Sequence, residues 1–189
     1  MPSFSAVLLA GGRSTRMGRD KALLPVPGSK LLLWQRQLAI LDELQPEEIF
    51  WSGPARPGLP GHIRIVLDEV ENAGPLAGIS ACLHLLRGDL LVALAIDLPQ
   101  MNVAFLKKLL ARSSSSCGAA ARHGDYVEPL AATYPKGLQL LAAEHLRQGR
   151  YALQDLIREA GQRGQIEVFP LGDDDASLFK NLNSPDDLL

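Results

Sequence analysis

Phe4-Ser5-Ala6-Val7-Leu8-Leu9-Ala10-Gly11-Gly12 is a short apolar run that ends in a glycine pair. It reads as a buried strand followed by a functional loop. The loop continues as Arg13-Ser14-Thr15-Arg16-Met17-Gly18-Arg19-Asp20-Lys21. It leaves the carboxyl end of its strand, where open α/β sheets bind their ligands.

Downstream, strand and helix patterns alternate. Lys30 to Leu44 carries Leu31, Trp34, Leu38, Leu41 and Leu44 at helical spacing. Strands are expected at Glu48–Ser52 and Ile63–Leu67, with a Gly/Pro-rich loop, Ala55–Gly61, between them. Pro75 opens a helix to Arg87, since a first helical position tolerates its missing N–H. Leu90 to Ile96 is apolar throughout, as in a strand covered on both faces. Val103–Arg112 is an amphipathic helix with cations near its C-terminal end. Cys117–Arg122 and Val127–Tyr134 are strands around a His123-Gly124-Asp125 turn. Helices near Gly137–Arg147 and Leu153–Ala160, a strand at Gln165–Phe169 and a helix start at Ser184 complete the chain. This order predicts an α/β fold: one domain over residues 1–189, a three-layer α/β/α sandwich around a mostly parallel sheet.

The first loop has the chemistry of a polyphosphate grip. Its glycines let main-chain N–H groups approach a ligand and form an anion nest. Arg13, Arg16, Arg19 and Lys21 add four cations against Asp20 alone. Arginine clasps phosphate oxygens in a fork and lysine meets them as a point charge. The Gly-Lys-Ser/Thr of a Walker loop and the dinucleotide fingerprint G-x-G-x-x-G are both absent. Asp97 follows the run Leu90–Ile96 directly. A carboxylate there sits on the ligand side of the sheet, where Mg²⁺ takes one or two carboxylates plus phosphate oxygens. The competing reading is an aspartate that caps the helix after Pro99.

Composition excludes other classes. Apolar residues make up 47% and charged residues 21%, the balance of a globular protein. A net charge of −2 is no general attractant for nucleic acid. No basic-then-apolar leader opens the chain, and the longest apolar run is too short to cross a bilayer. Cys82 and Cys117 make no metal spacing and read as buried, inert thiols. His62, His84, His123 and His145 lack partners at catalytic spacing and read as exposed or satisfied. The expected location is the cytoplasm, with no nucleic acid, no membrane and a monomeric state.

The stretch Leu9 to Leu24, LAGGRSTRMGRDKALL, closely resembles the N-terminal signature of the molybdenum cofactor guanylyltransferases, within the wider group of nucleotidyltransferases. The resemblance implies a Rossmann-like sheet of the nucleotide-diphospho-sugar transferase type. It implies transfer of GMP from GTP to the molybdenum-pterin cofactor, with Mg²⁺ and alongside other cofactor-assembly proteins. Related cytidylyltransferases carry Leu-Ala-Ala-Gly where this chain has Leu9-Ala10-Gly11-Gly12, which favours GTP over CTP. On this basis Lys21, Arg16 and Asp97 are catalytic candidates, and Asp97 is the metal ligand. Leu9, Ala10, Gly11, Gly12, Lys21, Asp68, Gly74 and Asp97 are nucleotide-binding candidates. Gly74-Pro75-Leu76-Ala77-Gly78 matches a family segment. Asn181 and Asn183, in Asn181-Leu182-Asn183-Ser184-Pro185, match a motif implied to lie near the acceptor. Glu128-Pro129-Leu130 matches a segment that varies between His-Pro and Glu-Pro, also on the acceptor side. Ser52 stands where relatives often have Asn. Matches thin out from Ala131 to Asp175.

Overall fold

A computed structural model describes residues 2–11, 21–26, 30–68 and 70–181. Among these residues there are seven strands: β1 Phe4–Leu9, β2 Ile49–Ser52, β3 Ile63–Val66, β4 Leu90–Ala95, β5 Gly118–His123, β6 Tyr126–Pro135 and β7 Ile166–Pro170. Five α-helices accompany them among the described residues: α1 Leu33–Glu43, α2 Pro75–Leu85, α3 Val103–Arg112, α4 Gln139–Arg147 and α5 Leu153–Gln162. The strands form one sheet in the order β3-β2-β1-β4-β6-β5-β7. β1 to β4 pair in parallel, β6 runs antiparallel to β4 and β5, and β5 pairs in parallel with β7. The expected α/β sandwich with a mostly parallel sheet is what forms.

Strand alternation builds two cores, because successive side chains leave opposite faces. Ala6, Leu8, Trp51, Val92 and Leu94 pack with α1 and α3. Val7, Leu9, Phe50, Leu91 and Ala93 pack with α2, α4 and α5. Leu8, Leu90 and Leu91 are wholly buried, each stabilising the fold by about 2 kcal/mol relative to exposure. The continuous apolar run of β4 is thereby explained: both of its faces are covered.

Local departures have local causes. The first predicted helix starts at Leu33, not Lys30. The residues before it form an antiparallel bridge, Pro25 to Leu32. Val26 N–H donates to the Leu31 carbonyl at 3.0 Å, and Leu33 N–H to the Leu24 carbonyl at 2.9 Å. Leu31 is therefore 41% exposed rather than on the buried helix face. Residues Asp173–Phe179 form a 3-10 helix that the sequence did not suggest. The helix start expected at Ser184 lies outside the described residues.

Cys82 is buried, and its thiol is pushed up to about 12 by that burial, so it is inert. Cys117 is only partly buried, contrary to expectation, because it sits at the exposed entry to β5.

Candidate functional site

The parallel strands β1 to β4 end at one edge of the sheet, and their ends meet in an open cleft of about 620 Å³. Leu9 and Gly11 reach it from β1, Ser52 from β2, Asp68 from just past β3, and Ala95, Ile96 and Asp97 from β4. Gly74 and Pro75 contribute the N-terminus of α2, and Leu130 closes the far side from β6. Gly11 and Asp97 thus line one cavity.

Lys21 begins a short 3-10 turn after the loop. Its Nζ lies 3.5 Å from Asp97 Oδ2, with the two side chains 20% and 27% exposed. The pair is accessible enough for a ligand to replace either partner. Asp97 is not a helix cap: α3 is capped by Asn102, whose side chain accepts from Phe105 N–H at 2.9 Å. Two side chains of α1 fix the loop that follows Asp97. Buried Gln37 donates to the Leu98 carbonyl at 2.6 Å, and Arg36 donates to the Met101 carbonyl at 2.9 Å. Burial lowers the Arg36 pKa from its ordinary value, yet a guanidinium stays protonated throughout the working range.

At the other end of the cleft, Ser52 Oγ donates to Asp68 Oδ1 at 3.4 Å. Burial pushes the Asp68 carboxyl above its ordinary range, and the Ser52 hydrogen bond partly offsets this. Close backbone approach shapes this end. Gly74 has φ +64°, a conformation that side chains rarely adopt. Gly53, at φ +141°, passes so near the Ala10–Gly11 peptide that a Cβ would lie 2.9 Å from Gly11 N. Ala10 itself only donates its N–H to the Ser52 carbonyl at 2.9 Å and does not line the cleft.

Of the expected acceptor residues, Asn181 is described. With Pro99, Gln100 and Lys180 it lines a second hollow of about 370 Å³, three residues or fewer along the chain from Asp97 on the Pro99–Gln100 side. Gly12, Arg16 and Asn183 lie outside the described residues.

Residues 6–164 match the model of the MobA-like NTP transferase domain. The chain belongs to this family. It is 33% identical to a probable molybdenum cofactor guanylyltransferase of Opitutus terrae, over 98% of this chain and 93% of that protein. It is 30% identical to the molybdenum cofactor guanylyltransferase of Pseudomonas putida, over 98% and 95%. Its fold matches the crystal structure of molybdopterin-guanine dinucleotide biosynthesis protein A from Archaeoglobus fulgidus with a TM-score of 0.77 at 23% identity, covering 97% and 94%. It also matches 2-C-methyl-D-erythritol 4-phosphate cytidylyltransferase from Thermus thermophilus with a TM-score of 0.68 at 19% identity, covering 96% and 94%. The MobA-like fold is thus close to that of a transferase with a different nucleotide in its name.

Sequence reasoning missed several residues at this MobA-like cleft. Asn72 lines it with φ +60°, and Pro54 and Ile96 line it as well. Asn72, two residues before Gly74, carried a signal: asparagine is one of the few residues that tolerate the left-handed region. Ile96 carried none, because it looked like the last residue of a buried strand.

Proposed function

We propose that the chain is a Mg²⁺-dependent guanylyltransferase that moves GMP from GTP onto the molybdenum-pterin cofactor and releases pyrophosphate. The observation that carries this reading is the Lys21–Asp97 pair, 3.5 Å apart, beside the cavity that Gly11 and Asp97 share. A cation for phosphates and a carboxylate for a metal stand side by side at the end of β4. The donor set fits magnesium brought in with a nucleotide. Among the described residues no three His, Cys, Asp or Glu side chains cluster as a closed metal cage. Mg²⁺ characteristically takes one or two carboxylates and fills its remaining positions with phosphate oxygens and water.

In this reading Asp97 holds the ion, which when bound neutralises charge on the phosphate oxygens. Lys21 and Arg16 hold the triphosphate and the leaving pyrophosphate. Leu9, Gly11 and Gly12 frame the nucleotide, Ala10 holds their backbone against Ser52 from behind, and Asp68 and Gly74 stand at the far side. An oxygen of the acceptor's terminal phosphate attacks the α-phosphorus of GTP. The bond from that phosphorus to the β-bridging oxygen breaks, and pyrophosphate leaves with the electron pair. No side chain forms a covalent intermediate, so catalysis rests on positioning and charge stabilisation. Asn181 and Asn183 stand on the acceptor side. The proposal extends to a monomer working in the cytoplasm beside other cofactor-assembly proteins. Among the described residues no helix is long and apolar enough to cross a membrane.

The test is pyrophosphate release with GTP, CTP and UTP in turn, with and without the molybdenum-loaded pterin. Release with GTP that requires the pterin is expected. Faster release with CTP or UTP points instead to a cytidylyltransferase or a sugar-1-phosphate transferase. Triphosphate binding with no release under any condition overturns catalysis and leaves a nucleotide-binding regulator.

A further inference from the structure

Asp97 sits between two pinned residues. Ile96 N–H, just before it, donates to the Leu9 carbonyl of β1 at 3.2 Å. Leu98, just after it, opens a tight turn in which Met101 N–H donates to the Leu98 carbonyl at 3.1 Å. That turn is tied down from α1. Gln37 Nε2 donates to the Leu98 carbonyl at 2.6 Å. Arg36 donates to the Met101 carbonyl at 2.9 Å and to Gln37 Oε1 at 3.2 Å. Leu98, Met101, Arg36 and Gln37 thus close a ring of hydrogen bonds. Leu98 and Met101 are buried, and Gln37 is wholly so.

Packing alone does not call for Gln37. It shares the buried face of α1 with Leu33, Trp34, Leu38 and Leu41. A leucine would fill that place, whereas a carboxamide taken out of water costs free energy unless it is hydrogen-bonded. Both ends of Gln37 are bonded, and what they hold is the backbone one residue past Asp97. The Asp97 side chain is 27% exposed and meets Lys21 Nζ at 3.5 Å. An accessible ion pair of that kind fixes little by itself. The place of the carboxylate is set by the backbone that carries it.

The same helix holds Lys21. The Lys21 carbonyl accepts from Leu24 N–H at 3.1 Å, and the Leu24 carbonyl accepts at 2.9 Å from the N–H of Leu33, the first residue of α1. Leu32 N–H, in the bridge to Pro25, donates to Gln35 Oε1 at 2.8 Å. Two turns from distant parts of the chain, one with the cation and one with the carboxylate, are therefore mounted on the start of one helix. We propose that Gln37 and Arg36 are positioning residues for Asp97, and that α1 is the mount that keeps Asp97 and Lys21 in register for a divalent cation held with the triphosphate. This rests on the reading of Asp97 as the metal carboxylate. A misplacement of about 1 Å can cost roughly a hundredfold in rate, which is what such a mount prevents.

Mn²⁺ titration of the nucleotide-free full chain, read by loss of the free-ion electron paramagnetic resonance signal, tests this apart from turnover. Gln37→Leu keeps much of the volume and removes the donor to Leu98. It should weaken Mn²⁺ binding roughly three- to tenfold, less than the roughly 10–100-fold usual when the lost partner touches a ligating side chain itself. Arg36→Met should weaken it by less, and Arg36→Lys should recover part of that loss. GTP affinity measured in the presence of a chelator should hold at the wild-type value in all three. In steady state the half-saturating Mg²⁺ concentration should rise in Gln37→Leu while kcat at saturating Mg²⁺ stays near wild type. An unchanged Mn²⁺ constant in Gln37→Leu and Arg36→Met overturns the proposal, and so does an equal loss of metal-free GTP affinity. If Gln37→Leu fails to fold, the two Arg36 variants decide. Asp97→Asn that binds Mn²⁺ as wild type does overturns the metal role of Asp97 and this inference with it. A wild-type chain that releases no pyrophosphate overturns the transfer reaction, and the Mn²⁺ constants still decide this inference separately.

Discussion

β1 to β4 and the group β6, β5 and β7 belong to one sheet, yet they deliver residues to the cleft in different ways. The first four strands all point the same way. Each hands over its last residues, so Leu9, Ser52, Asp68 and Asp97 arrive at one edge as a consequence of parallel pairing. β6 points the other way, and it is its beginning that reaches the cleft. There the ladder is broken at Glu128–Leu130 and braced by side chains from α5 and from β6 itself. The parallel strands β1 to β4 bring their residues to the cleft by topology, and antiparallel β6 brings Leu130 there at an interruption of its ladders. Chemistry common to many phosphoryl transfers suits the parallel half.

The largest effects are expected where the two halves meet. Asp97→Ala and Lys21→Ala should each lower turnover by about 10²-fold or more, the usual cost of removing transition-state electrostatics. Pyrophosphate release with GTP and pterin reads this directly. Acceptor KM should move little. Near-normal turnover in both variants would remove the assigned roles and erase the distinction between the halves.

The two halves also differed in how far they could be read in advance. The strand from Phe4 and the helix start at Gly74–Pro75 are each local in the chain, and both lie where the sequence placed them. Strand spans were legible because apolar runs between turn residues are local too. The order of strands was not, since the insertion of β6 between β4 and β5 depends on pairing across some forty residues. The Ser52–Asp68 hydrogen bond joins two strand ends, and neither residue alone announced it. Gln154 resembled any polar residue on an amphipathic helix, and its two hydrogen bonds to Val127 appear only in three dimensions. Pro129, inside an otherwise plain strand, was the available sign of the broken ladder.

Glycine substitutions test how tightly each half is built. A Cβ on Gly118 of β5 would lie 2.0 Å from the Thr133 carbonyl oxygen and 2.7 Å from its carbon. Backbone cannot yield cheaply, so Gly118→Ala should destabilise by about 3 kcal/mol, the upper part of the overpacking range. A Cβ on Gly78 of α2 would meet Ser52 Oγ at 2.1 Å, with Ser52 Cβ at 3.1 Å and Leu9 at 3.3 Å. The nearest atom there is a side-chain tip that can rotate, so about 1 kcal/mol is expected. Rotating Ser52 breaks its bond to Asp68, and GTP affinity should fall in Gly78→Ala. Denaturant unfolding and GTP titration check the pair. A larger stability loss in Gly78→Ala than in Gly118→Ala would reverse the ranking.

The smallest effects concern two carboxyls whose titrations oppose each other. On the α4–α5 side, Glu159 Oε2 lies 2.9 Å from Nε2 of the fully buried His145, with Arg150 at 3.3 Å and Arg163 at 2.6 Å from its oxygens. The His145 hydrogen bond first, then Arg163 and Arg150, hold the Glu159 carboxyl below its ordinary range. The unfolded chain therefore binds the proton at a higher pH than the folded one. The stability from Glu159 is present above the ordinary carboxylate range and is lost as pH falls through the lowered value. Asp68, in the parallel half, is raised by burial, so its contribution has the opposite sign. Between its ordinary value and its raised one, the folded chain holds a proton that the unfolded chain releases, and stability falls as pH rises. Glu159→Gln should therefore flatten the acid loss of stability, and Asp68→Asn should steepen it. Unfolding free energies measured at several pH values below 7 would show the two slopes diverging from wild type in opposite directions. Slopes that change in the same direction would mean that the two carboxyls share one environment, contrary to the division of the sheet.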